Sequence, residues 1–124
     1  MADRGVGSGG ALPWFFQRLT GILLAPILIV HLLTMHKWTA HGLPWDQVAL
    51  RLTNPYWKVL EVFFLTFALY HGLNGLYAII GDYVRKPALR LTIFSLACVA
   101  GVVLLIFGLV TVFSLTPASL RATL

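Results

Sequence analysis

Charge is what this sequence has least of. Only 10% of its 124 residues are Asp, Glu, Lys or Arg, where a soluble domain typically carries about 25%. That scarcity excludes a water-facing globular surface, and with 59% hydrophobic residues it defines an integral membrane protein of one domain. Cysteine is nearly absent too, since Cys98, inside an apolar run, is the single one. One cysteine excludes a disulfide framework, a paired-cysteine zinc site and a C-x-x-C-H attachment, so any prosthetic group is held without covalent bonds. Acidic residues are few, four against nine Lys and Arg, for a net charge of +5. The basic residues are scattered at the ends of apolar runs and form no patch. They read as membrane-flanking charge, with lipid and not nucleic acid as the partner.

What is there is length of apolar run. Three stretches, about 14–35, 59–81 and 89–115, each exceed the roughly 20 residues needed to span a bilayer. They lack the alternation of a barrel strand, and only helices or closed barrels satisfy their backbone in lipid. The expected fold is an all-α membrane protein: three transmembrane helices with a short interfacial helix between the first and second, forming part of a heteromeric bundle. Residues 1–13 read as a flexible, Gly-rich segment and not a signal peptide, and residues 116–124 as a C-terminal tail. Pro26 falls mid-span in the first run, where it removes a backbone bond and kinks the helix. Asn54-Pro55 looks like an N-cap followed by proline at the first helical position. Between the first two spans, LPWDQVALRL reads as an amphipathic helix in the interface. Trp38, Trp45, Tyr56 and Trp57 make an aromatic belt on that side, and Trp14 and Tyr83 mark the other. Arg4, Arg18, Arg85, Lys86 and Arg90 lie on the N-terminal side, Lys37, Arg51, Lys58 and Arg121 opposite. Five against four leans towards a cytoplasmic N-terminus.

The chemistry-bearing residues are those a bilayer should not hold. His71 lies near the middle of the second run, and an ionisable side chain there is a functional hypothesis by default. On a helical wheel Ala68, His71, Gly75, Ala78 and Asp82 share one face, flanked by Gly72, which leaves room for something flat and large. The alternative is a packing stripe with a hydrogen-bonded histidine. His31 is a second intramembrane histidine. Counting along each helix puts His31 roughly 20 Å and His71 roughly 16 Å from the N-side surface. Two neutral imidazoles at similar depth suit haem b. Both could serve one haem, or each could pair with a histidine on another chain; alternatively His31 bonds a carbonyl freed by Pro26. Thr20 falls on the His31 face, with Gln17 near it. His36 and His41 belong to the far surface and read as solvated.

Asp82 and Tyr83 close the second run. They are either an interfacial pair, with Asp82 bonded to Arg85, or part of a quinone site, since Tyr donates a hydrogen bond to a carbonyl and Asp relays protons or orients it. Arg18, about one turn inside the first helix on the same side, needs an acceptor if it is buried: Asp82, a haem propionate or a quinone oxygen. The third run carries Ala97, Gly101 and Gly108, a small-residue packing stripe, has no histidine, and reads as scaffold.

Taken together, His71-Gly72-x-x-Gly75, Asp82-Tyr83-Val84, the stretch Lys86-Pro87-Ala88-Leu89-Arg90 and Gln17-Arg18-Leu19-Thr20-Gly21 resemble the smaller hydrophobic anchor subunits of succinate dehydrogenase (succinate:quinone oxidoreductase, respiratory complex II). The resemblance covers about residues 14–90. It implies that His71 is a haem b axial ligand, that Asp82 and Tyr83 border the quinone site, and that Arg18 lies near quinone and haem propionates. Best-known single-haem members lack a histidine at the position of His31, whereas two-haem members tend to have one in the first helix. The Asn54-Pro55-Tyr56-Trp57-Lys58 pattern also looks more like the two-haem members. His31 then serves as a possible second axial ligand.

The resemblance further implies partners: a flavoprotein subunit, an iron–sulfur subunit and a second membrane anchor, with FAD and the clusters held only by those partners, and a possible trimer of heterotetramers. The implied role is to receive electrons from the iron–sulfur subunit and pass them to menaquinone or ubiquinone in a bacterial-type inner (cytoplasmic) membrane, as part of the respiratory chain and the tricarboxylic acid cycle. This chain would not be catalytic alone. The competing readings are a fumarate reductase anchor running in reverse, a stand-alone di-haem cytochrome and a haem-free structural subunit of another complex.

Overall fold

The computed structural model describes residues 11–36 and 45–118, excepting the side chains at positions 35, 36 and 45. Its elements are α1 (Ala11–His36), α2 (Trp45–Leu52), α3 (Pro55–Tyr83) and α4 (Pro87–Ser114). The described residues contain no strand. Three of the helices, α1, α3 and α4, are long and apolar enough to cross a membrane. The all-α expectation, with a short helix between the first two spans, therefore holds.

Helices α1 and α3 outrun their apolar runs at both ends, because helix ends continue through the interface where polar and aromatic residues sit, while α4 starts early at Pro87 and closes at Ser114, one residue short of its run. Helix α1 begins at Ala11, three residues before the expected start, and takes in part of the segment expected to be flexible. Helix α3 opens as the Asn54-Pro55 signature indicates: the Asn54 side chain accepts from the Tyr56 backbone N–H at 2.9 Å. Helix α4 begins with Pro87 in its first turn and has no side-chain cap bond. Helix α2 buries Ala49 and Leu52 and packs on α3. It also sets the Arg51 guanidinium over the Trp57 ring at 4.3 Å, a cation–π contact at the membrane edge. Trp38 and His41 lie outside the described residues, as do the side chains of Trp45 and His36.

Helix α3 is the middle helix, packed by α1 on one side and α4 on the other. On the α4 side Gly101 and Gly108 admit Leu69 and Leu65 of α3. A Cβ at Gly101 would stand 2.6 Å from Leu69 Cδ1, and one at Gly108 2.9 Å from Leu65 Cδ1. Two members of the expected small-residue stripe are thus holes filled by leucine knobs. Threonine hydroxyls within the spans are satisfied locally. Thr20, Thr34, Thr66, Thr92 and Thr111 each donate to the carbonyl four residues back, so none presents an unpaired O–H to hydrocarbon. Little else is buried: large apolar side chains such as Leu12, Ile22, Leu104 and Phe107 are more than two-thirds exposed. These surfaces suit lipid or neighbouring helices and do not suit water.

Candidate functional site

Polar contacts between α1 and α3 fall at two levels. At the first, Gln17 and Thr20 of α1 meet His71 and Asn74 of α3. The His71 Nδ1 lies 3.2 Å from the Gln17 carbonyl and 3.4 Å from Thr20 Oγ1. The hydroxyl of Thr20, a side chain only 5% exposed, donates to the Phe16 carbonyl at 2.7 Å. Both oxygens facing Nδ1 are therefore acceptors, which places the ring proton on Nδ1 and leaves Nε2 with its lone pair. Among the described residues Nε2 has no hydrogen-bond partner. The Gln17 side chain completes a clamp: Nε2 donates to the His71 carbonyl at 3.3 Å, and Oε1 accepts from Asn74 Nδ2 at 3.0 Å.

Glycines make this approach feasible. A Cβ at Gly21 would lie 3.1 Å from His71 Cε1, and one at Gly75 would lie 3.4 Å from Gln17 Nε2. The face carrying His71 and Gly75, expected to stand open for a large flat group, is instead packed against α1. The open space is to the side, at Gly72, where a Cβ would meet nothing within 4 Å. A helical wheel shows which residues share a face but not which helix covers that face. Thr20, placed on the His31 face, does face α3 together with His31, yet its partner there is His71.

The second level joins His31 and Glu61. His31 Nδ1 is 3.1 Å from Glu61 Oε1, with the carboxylate side chain only 12% exposed. The His31 ring stacks on Phe64, centroids 4.9 Å apart and planes at 18°. Gln17 with Asn74, Thr20 with His71 and His31 with Glu61 share one antiparallel register: each step forward on α1 is met by a step back on α3. His31 thus lies ten or eleven residues from the His71 level, about 15 Å along the axis. The two histidines therefore do not stand opposite each other at one level.

Asp82 and Tyr83 end α3 as expected. Both are exposed, Tyr83 at 83%, and neither side chain bonds to another described residue; the Asp82–Arg85 pairing is not formed. Arg18 is exposed too, with its guanidinium 3.8 Å from the Trp14 ring centroid. Its place in the register is level with Leu73 and Asn74, about 12 Å deeper than Asp82. The structure therefore sets Arg18 beside the His71 level and does not bring it to Asp82 and Tyr83.

Three residues were not singled out as site residues in the sequence. Glu61, an acid inside a span, carried a usable signal by itself, but it lies two turns from the start of α3, where charge passes as interfacial. Asn74 becomes visible only through Gln17. Arg90, read as flanking charge, donates from Nη2 to the Gly81 and Val84 carbonyls at 3.1 Å each and caps α3 beside Asp82 and Tyr83.

Three spans, two of them joined by polar contacts around two histidines at two depths and the third packed on through glycine and leucine, define a helical membrane subunit. The chain matches the family described as succinate dehydrogenase/fumarate reductase transmembrane subunit over residues 3–110, and it belongs to that family. Among similar proteins, the succinate dehydrogenase hydrophobic membrane anchor subunit of Archaeoglobus fulgidus is 28% identical over 104 residues, 84% of this chain and 89% of that protein. Its namesake in Thermoplasma acidophilum is 32% identical over 100 residues, covering 80% and 81%. That of Coxiella burnetii is 26% identical over 100 residues, covering 79% and 83%.

Proposed function

We propose that this membrane anchor of succinate dehydrogenase carries an axial haem b ligand at each polar level, His71 and His31, contributes Tyr83 and Asp82 to quinone binding and electron delivery, and offers Arg18, at the His71 level, to a haem propionate or a quinone oxygen. The observation that carries the reading is the contact of His71 Nδ1 with the Gln17 carbonyl at 3.2 Å. An imidazole donating Nδ1–H to a backbone carbonyl offers Nε2 as a ligand, held in orientation by that bond. His31, with Nδ1 on Glu61, has the same polarity, which favours a second haem at its own level. The residues present fit the group: two such imidazoles, and open space at Gly72 beside His71. When bound, haem supplies one-electron redox capacity inside the bilayer.

The chain's own residues hold and aim. Gln17, Thr20 and Gly21 fix the His71 ring. Arg18, level with His71 and exposed, is available to a propionate or a quinone oxygen. Tyr83 directs its hydroxyl outward to a quinone carbonyl, and Asp82 beside it relays a proton from the surface or orients the phenol. Their exposure supports a quinone site completed by other subunits: the iron–sulfur protein and a second anchor, with the flavoprotein beyond them. The quinone is a menaquinone or ubiquinone, and the assembly is a heterotetramer able to pack into trimers. The N-terminus is cytoplasmic in a bacterial-type inner membrane, on the weight of five basic residues against four.

The test is haem b per complex, from reduced pyridine-haem spectra of the detergent-purified assembly. Two per complex, falling to one in His71→Ala, is the expected result. No haem in the wild-type assembly would leave only a structural anchor.

A further inference from the structure

The two imidazoles differ in what accepts their Nδ1–H. That of His71 faces neutral oxygens, the Gln17 carbonyl and the Thr20 hydroxyl. That of His31 faces the Glu61 carboxylate at 3.1 Å. A nearly buried carboxylate within a membrane span is costly unless it is paired, and no function given above to the chain uses Glu61. We propose that Glu61 is the positioning residue of the His31 site: its carboxylate orients the ring against Phe64 and, by drawing the Nδ1 proton, makes Nε2 a more basic ligand that favours ferric over ferrous iron. Hydrogen bonding from outside the ligand set is one of the means by which a protein sets a haem potential. The ring has its plane fixed by the Phe64 stack and its rotation fixed by Glu61, so only Nε2 is left to the iron.

The inference rests on His31 being a ligand, and the experiment separates the two. Whole purified assemblies carrying His31→Ala, Glu61→Gln, Glu61→Asp or no substitution are measured for haem content and titrated potentiometrically by haem absorbance. His31→Ala is expected to reduce haem from two to one per complex. Glu61→Gln keeps a hydrogen-bond acceptor of the same shape without the charge. It is expected to retain both haems, with one midpoint potential raised and the other unmoved. If Glu61→Gln loses the haem, recovery of that haem by Glu61→Asp at a potential near the wild-type value supports the role, and failure to recover overturns it. Unchanged potentials in Glu61→Gln, alongside haem loss in His31→Ala, would overturn the role of Glu61 and leave the ligand standing. Full haem in His31→Ala would overturn both.

Discussion

The Cε1 atom of His71 lies 3.1 Å from the point a Cβ on Gly21 would occupy. Two helices thus meet at a histidine ring and a missing side chain, and the ring's place depends on the glycine. In Gly21→Ala the ring must give by a few tenths of an ångström. Alanine is the better helix former by about 1 kcal/mol, so the fold tolerates the change while the haem spectrum shifts. Gly21→Leu fills the space outright and is expected to reduce haem at the His71 level at least severalfold, by pyridine-haem assay.

Gln17 and Asn74 join α1 to α3 beside that ring. Hydrogen bonds between membrane helices contribute about 0.6–2 kcal/mol. A double-mutant cycle of Gln17→Leu and Asn74→Leu, read by unfolding of the assembly in detergent, should give a coupling in that range. Purely additive effects would mean that the bond contributes nothing.

On the other side of α3, Gly101 is buried against Leu69. Overpacking of this kind costs roughly 1–3 kcal/mol. Gly101→Ala is expected to lower thermal stability, and Leu69→Ala in the same chain to restore part of it by vacating the space the new methyl needs. The haem spectrum should stay unchanged, because neither His71 nor His31 makes its polar contacts on this face.

Tyr83→Phe removes one hydroxyl from an exposed ring at the end of α3. Succinate-driven quinone reduction should fall at least tenfold, while dye reduction by the partner subunits continues at its ordinary rate. Equal quinone rates would remove Tyr83 from the site.

Arg90→Ala uncovers the Gly81 and Val84 carbonyls that close α3. Loss of a charged hydrogen-bond donor costs about 1.5–3 kcal/mol where the acceptors stay buried. Faster amide exchange across the last turn of α3, with slower quinone reduction beside it, is the expected outcome.

Much of this architecture is legible in the sequence, because a bilayer permits so few solutions: long apolar runs become helices, and Asn54-Pro55 opens one at the residues that look like a cap. His71 and His31 are conspicuous for the same reason, being the histidines that fall inside such runs. Partnership is not legible at that level. Whether Thr20 serves His31 or His71 depends on how far one helix has slid along the other, and a wheel contains no such coordinate. Glu61 was hidden by its place near a helix start, and the exposure of Arg18 depends on packing that the sequence does not display. The Gln17–Gly21 stretch drew attention through its arginine, yet its glutamine, threonine and glycine are the residues that touch the imidazole.

The shared register of α1 and α3 has a consequence for biogenesis. If α1 inserted one turn too high or too low, His71 would lose its carbonyl and Glu61 its imidazole in the same step, stranding a ring and a carboxylate in hydrocarbon together. Neither error could be repaired without repairing the other. The two polar levels thus act as a two-point check on insertion, in which a misaligned pair of spans is penalised twice.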